Sequence, residues 1–145
     1  MATIASTPDL AVRLRLAVTR TARRLRQQTG DDLSPSLSAA LATIERHGPL
    51  TPSQLAERER IQRPTATRIL ARLEETGLVE RVSDPADKRS SLISASADGR
   101  ALLRRLRDRK DAYLASRLRT LDADERATLH RATAILERLL EEGGR

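Results

Sequence analysis

Between residues 63 and 72 the chain carries Arg63, Pro64, Thr65, Thr67, Arg68 and Arg72. Set on a helix, Pro64, Thr67, Arg68, Ala71 and Arg72 share one open face, with Thr65 at its edge. Ala66, Ile69, Leu70 and Leu73 form an apolar stripe on the other side. A helix with a dry back and a front of short polar and cationic side chains has the chemistry to read base edges in a major groove. A second cationic group, Lys88 and Arg89 beside Asp87, follows in a polar loop. Taken alone, the helical stretch fits an ordinary helical hairpin with a solvated charged face equally well.

The elements around these residues change that balance. Residues 51–76 read as two short helices joined by a tight turn. Thr51 is a good N-cap, Pro52 suits the first helical position, and Gln54 stands where the partner of a capping box belongs. Leu55 and Ala56 point inward and Ile61 anchors the turn. Arg60 occupies a turn position where such motifs often hold glycine. Pro64 is placed at the first position of the second helix, and Gly77 ends it. The period then changes. Residues 78–82 and 91–96 read as strands, with the polar loop 83–90 between them. A hairpin directly after such a helix is a wing. Two strands alone are marginal in water, so the hairpin must pack on the helices.

Upstream, Thr7-Pro8 starts a helix striped by Leu10, Leu14, Val18, Ala22 and Leu25, with Val12 and Leu16 as a second apolar edge. A helix apolar on two sides lies between two partners. Gly30-Asp31-Asp32 breaks it. Ser34-Pro35 caps the next helix, which turns Leu37, Ala40, Leu41 and Ile44 inward and ends at His47-Gly48-Pro49. Downstream, Ser96 caps a long helix from residue 97 to about 119, and Asp122 with Glu125 caps a final one striped by Leu129, Ala132, Ile135, Leu136, Leu139 and Leu140. The tail Gly143-Gly144-Arg145 is expected to fray. The expected fold is mainly α with a small β-hairpin: a winged helix-turn-helix lobe at 36–96, flanked by a helical dimerisation region at 1–35 and 97–145. Terminal helices beyond what one winged helix needs are best explained by a two-fold dimer, with Leu10, Leu14, Leu129, Ile135, Leu136 and Leu139 as its contacts.

Composition narrows the chemistry. The formal net charge is +7, which suits a polyanionic partner. Yet residues 36–96 hold 9 basic and 8 acidic side chains, so a site there depends on placement rather than net charge. Cysteine is absent, which excludes disulfides, thiol redox sensing and thiolate zinc ligation. His47 and His130 lack metal-site spacing, and neither a metal nor a cofactor is expected. The chain shows no glycine-rich phosphate loop and no nucleophile elbow, so an enzyme is not expected. With no membrane-length apolar run and no signal-peptide core, a cytoplasmic protein without membrane partners is expected.

The whole order of elements resembles the MarR family of bacterial transcriptional regulators. The resemblance rests on Leu50-Thr51-Pro52-Ser53-Gln54-Leu55-Ala56, on residues 64–74, on Gly77-Leu78-Val79-Glu80-Arg81, on the wing Asp84-Pro85-Ala86-Asp87-Lys88-Arg89, and on residues 94–100. Asp87-Lys88-Arg89 fits that family's Asp-x-Arg wing signature. The resemblance implies a homodimer on a short inverted repeat in double-stranded DNA, expected to act as a repressor. Recognition helices would enter successive major grooves and wings the flanking minor grooves. It also implies release by a small anionic or aromatic effector held between the dimerisation helices and the DNA-binding lobe. One tyrosine and no other aromatic argue against an aromatic-lined pocket, and Arg15 or Arg104 are candidate anion holders.

Each DNA-facing residue then takes an expected role. Arg68 and Arg72 can donate to guanine edges or phosphates, and Thr65 and Thr67 can meet a phosphate or a thymine methyl. Arg63, Pro64 and Lys88 complete the contact set. Arg89 suits the negative potential of a narrow minor groove, with Asp87 orienting it. The competing expectations are a helical protein-interaction module and a non-specific chromosomal DNA-binding protein.

Overall fold

The computed structural model describes residues 5–28, 30 and 33–142. Asp31 and Asp32 of the expected helix break, and the tail Gly143-Gly144-Arg145, lie outside the described residues. The element order is α1 (Thr7–Gln27), α2 (Pro35–His47), α3 (Pro52–Glu59), α4 (Arg63–Glu75), β1 (Val79–Ser83), β2 (Ser91–Ala95), α5 (Ala97–Leu118) and α6 (Ala123–Glu142). The chain divides into two compact units after Lys110. The first unit therefore takes in the opening turns of α5, because Leu102, Leu103 and Leu106 are buried there.

The core of the first unit is one aliphatic cluster. Leu41, Ile44, Leu55, Leu73 and Ile93 are its largest fully buried side chains, with Ala40, Leu50, Ala66, Leu70, Val79 and Leu103 among them. Leu37, Ile61 and Ile69, expected inward, are half-buried and pack against this cluster. Strands β1 and β2 pair antiparallel, with Val79 opposite Ala95 and Ser83 opposite Ser91. Leu50 adds a bridge on the far edge of β2. Its N–H donates to the Ile93 carbonyl at 2.9 Å and its carbonyl accepts from the Ile93 N–H at 2.7 Å. That third rung was not legible locally, since Leu50 lies in a connection between two helices.

Helix boundaries follow local caps with small shifts. Helix α1 starts at Thr7, as expected, and the Ser6 hydroxyl caps it at the Asp9 N–H. Thr51 and Gln54 form the reciprocal capping box of α3 at 3.1 and 2.9 Å. Helix α4 begins at Arg63, one residue earlier than expected, with Gln62 supplying no side-chain cap. Pro64 fits there because the N–H it lacks is one that the first turn leaves unpaired anyway. Strand β1 begins one residue late because the Leu78 N–H closes α4 on the Leu73 carbonyl at 2.9 Å.

The same ending closes α3 and α4. Gly77 adopts φ 73°, its N–H donates to Glu74, and Leu78 donates to Leu73. At the end of α3, Arg60 adopts φ 54°, its N–H donates to Glu57, and Ile61 donates to Ala56. This pattern of paired backbone bonds is the Schellman ending, which needs a left-handed residue. Glycine supplies it without strain at 77, whereas Arg60 adopts it against the steric preference of an L side chain.

Helix α5 approaches β1 through a missing side chain. A Cβ at Gly99 would lie 2.1 Å from the Leu78 carbonyl oxygen. Farther along α5, Arg107 donates both terminal guanidinium nitrogens to Glu45 of α2, at 2.7 and 3.3 Å. That hydrogen bond, with the charge of Arg107, holds the Glu45 carboxyl below its ordinary range against the opposing effect of burial. The pair is partly exposed, so it orients α2 against α5 more than it stabilises them.

Two substitutions test these backbone requirements in opposite directions. Gly99→Ala is expected to destabilise the protein by roughly 1–3 kcal/mol, as overpacking does. Arg60→Gly is expected to stabilise it by about 1 kcal/mol by relieving the left-handed penalty. Denaturant unfolding of both variants checks this. Wild-type stability in Gly99→Ala would show that α5 needs no close approach to Leu78.

Candidate nucleic-acid interface

Helix α4 is held by its back. Ala66, Leu70 and Leu73 are buried and Ile69 is half-buried. Its front is open: Arg63, Pro64, Thr67, Arg68, Ala71 and Arg72 are all exposed, and Thr65 is half-buried at the edge. The separation is the one expected from helical spacing. The tight turn before α4 is braced from below, where the Thr43 hydroxyl of α2 donates to the Glu59 carboxylate at the end of α3.

The front is not uniformly free. The Thr67 hydroxyl donates to the Arg63 carbonyl one turn back, at 3.0 Å. Arg72 pairs with Glu75 at 3.1 Å, an exposed contact between residues three apart. Glu74 reaches Arg81 of β1 at 2.9 Å. Among the described residues, Arg63 and Arg68 make no ion pair. The sequence pointed to no partner for Glu74 or Glu75. The Arg72–Glu75 spacing is a helical one and could have signalled that pair. Glu74–Arg81 spans the end of a helix and a strand, so no local spacing marks it.

The wing loop, residues 84–90, is organised by its two aspartates. The Asp84 carboxylate accepts from the Ala86 N–H at 2.9 Å. The Asp87 carboxylate accepts from the Arg89 N–H at 3.0 Å and from the Ser90 hydroxyl at 3.3 Å. Asp87 thus acts on the backbone of Arg89, not on its guanidinium. Lys88 and Arg89 are exposed, and neither makes an ion pair among the described residues. Two cations are thereby held at the tip of the hairpin, one element away from Arg63 and Arg68.

A cleft of about 1120 Å³ opens elsewhere in the first unit. Ala22, Arg23, Leu25 and Arg26 of α1 line it with Ser38 of α2 and Lys110 at the end of the unit. Among the described residues, no aromatic side chain lines it. Arg15 and Arg104, the expected anion holders, are exposed and take no part in it; Arg23, Arg26 and Lys110 bring the cations instead. Among the described residues no group of His, Cys, Asp or Glu could hold a metal ion, and no helix is long and apolar enough to cross a membrane.

The sequence pattern of the MarR family matches residues 33–91, which take in α2, α3, α4 and most of the hairpin. The chain is 39% identical to an HTH-type transcriptional regulator of Mycobacterium leprae, over 92% of this chain and 94% of that protein. It is 33% identical to the multiple antibiotic resistance protein MarR of Salmonella typhimurium, over 68% of this chain and 69% of that protein. The chain belongs to the MarR family. A crystal structure of a protein from Pseudomonas aeruginosa, described as a transcriptional regulator, superimposes with a TM-score of 0.83 at 34% identity, covering 94% of this chain and 98% of that one. This MarR-family chain is therefore a DNA-binding transcriptional regulator built on a winged helix-turn-helix, as its sequence led one to expect. Family members are regulators rather than enzymes.

In a MarR-family wing organised this way, Asp87 should matter through geometry. Asp87→Ala is expected to weaken duplex DNA binding roughly tenfold, the worth of about one hydrogen bond to a charged group. Asp87→Asn should retain most of the affinity, because an amide oxygen still accepts from the Arg89 N–H. Fluorescence anisotropy on one duplex checks both. Equal loss in the two variants would show that the carboxylate's charge, not its hold on the loop, is what counts.

Proposed function

We propose that the chain is a homodimeric repressor of the cytosol that binds an inverted repeat in double-stranded DNA. The observation that carries this reading is that Arg63 and Arg68 on α4 and Lys88 and Arg89 on the wing are exposed and make no ion pair among the described residues. Helix α4 would enter the major groove, with Arg68 positioned for a guanine edge or a phosphate. The wing would lie along the flanking minor groove, where narrow A·T-rich segments concentrate negative potential for Arg89. Arg72 is a weaker reader, since Glu75 competes for it; that exposed pair is worth little and DNA phosphates can displace it.

The dimer is supported separately in each compact unit. On α1, Leu10 and Leu14 are 54% and 37% exposed, and no residue of that helix is buried. On α6, Leu129, Ile135 and Leu139 are 44%, 47% and 54% exposed, and Leu136 is half-buried. Apolar stripes of this kind call for a covering partner. A second copy supplies one and also provides the second recognition helix for the second half-site.

The effector we propose is a small carboxylate-bearing molecule in the α1–α2 cleft beside Arg23, Arg26 and Lys110. It would act by preferring a dimer whose recognition helices are mis-spaced. A preference of about 100-fold corresponds to roughly 2.7 kcal/mol.

Selection from a randomised duplex pool, followed by binding at several salt concentrations, tests the proposal. A two-fold symmetric consensus is expected, with affinity falling steeply as salt rises, at about 0.9 in log–log slope per phosphate contact. Sedimentation should give a dimer, and a duplex carrying one half-site should bind far more weakly. An unenriched pool with salt-sensitive binding would replace this reading with non-specific DNA coating. No binding at any salt would leave a protein-interaction module.

A further inference from the structure

We infer that Thr67 is a specificity residue that reads a thymine methyl, not a phosphate-binding residue. This rests on the proposed placement of α4 in the major groove. Threonine on such a helix has two ways to act: it can donate its hydroxyl hydrogen to a phosphate, or it can offer its methyl to a base. The structure distinguishes them. The Thr67 hydroxyl hydrogen is already donated inward, to the Arg63 carbonyl at 3.0 Å. A carbonyl only accepts, so the direction of that bond is not in question. With that hydrogen committed, this exposed side chain has its methyl group and an oxygen lone pair left for an outside contact. Phosphate oxygens are acceptors, and a lone pair facing them repels. Redirecting the hydroxyl to a phosphate only exchanges one hydrogen bond for another, with little net gain.

The neighbours agree with a base contact. Thr67 is exposed on the centre of the front, with Pro64 one turn before it and Ala71 one turn after, both exposed and both apolar. Arg68 stands directly beside it with no ion pair among the described residues. An apolar patch flanked by an unpaired guanidinium matches a thymine methyl next to a guanine. Thr65 differs: it is half-buried at the edge of the face and has no part in this patch.

The test uses the full-length protein and the tightest duplex recovered from a randomised pool. Each thymine of the half-sites is replaced in turn by deoxyuridine, which removes only the methyl. At one position per half-site, wild type should lose roughly fourfold, the worth of one buried methyl. Thr67→Val, which keeps a methyl and drops the hydroxyl, should bind within about twofold of wild type and show the same loss. Thr67→Ser, which keeps the hydroxyl and drops the methyl, should bind roughly fourfold more weakly and be indifferent to deoxyuridine at that position. Thermal melts of both variants should match wild type closely, as the position is exposed. Two outcomes would overturn the inference: wild type indifferent to deoxyuridine at every thymine, or Thr67→Val weaker on all duplexes while Thr67→Ser keeps wild-type affinity. If no duplex is enriched at all, the DNA-reading proposal fails instead, before Thr67 comes into question.

Discussion

The Ser96 hydroxyl, buried where four elements meet, donates to the Gly77 carbonyl at 2.6 Å and accepts from the Gly99 N–H at 3.0 Å. The Ser96 N–H donates to the Leu78 carbonyl at 3.0 Å. One residue thereby ties the end of α4, the start of β1, the end of β2 and the first turn of α5. The bond from the Gly99 N–H satisfies a buried backbone donor, which left unpaired would cost more than the bond itself yields. Gly99 makes the tie possible, since any Cβ there would strike the Leu78 carbonyl. The position of the recognition helix relative to the wing depends on this junction. The spacing of Arg68 and Arg89, on which the proposed reading of a duplex rests, is set through it.

Around that junction the lobe separates charge without carrying much of it. Residues 36–96 hold nearly equal numbers of acidic and basic side chains. Six of the eight carboxylates make contacts within the fold. Glu45 holds Arg107, Glu59 takes the Thr43 hydroxyl, Glu74 holds Arg81 and Glu75 holds Arg72. Asp84 and Asp87 fold the wing loop. On α4 and the wing, Arg63, Arg68, Lys88 and Arg89 are left exposed, with no ion pair among the described residues. A polyanion senses the nearest charges within about a Debye length, so placement decides the field more than the sum does.

The aliphatic composition has a structural consequence as well. Leucine, isoleucine, valine and alanine fill the first unit's core, with no aromatic ring among them. Such side chains bury less area each than aromatics do. Helix α1 in the first unit and helix α6 in the second each carry exposed leucines and have no buried residue. Apolar surface removed from water by a second copy would add stabilisation that one chain cannot supply alone.

By itself the sequence determined whatever is decided within four or five residues. The capping boxes at Thr51–Gln54 and Asp122–Glu125, the glycine stop at Gly77, the apolar stripe of α4 and the switch to strand period after it are all local, and the structure carries each of them. The left-handed turn at Arg60 was visible as a missing glycine. Tertiary structure decided the rest, because those contacts close long stretches of chain. Ser96 meets Gly77 across 19 residues and Arg107 meets Glu45 across 62. Leu50 reaches Ile93 from a segment with no strand pattern of its own. The inclusion of the first turns of α5 in the winged-helix unit depends on Leu102, Leu103 and Leu106 finding that core, which no period along α5 announces. Side-chain direction was also beyond the sequence. A threonine's hydroxyl can turn either way, and only the folded helix directs that of Thr67 to the Arg63 carbonyl.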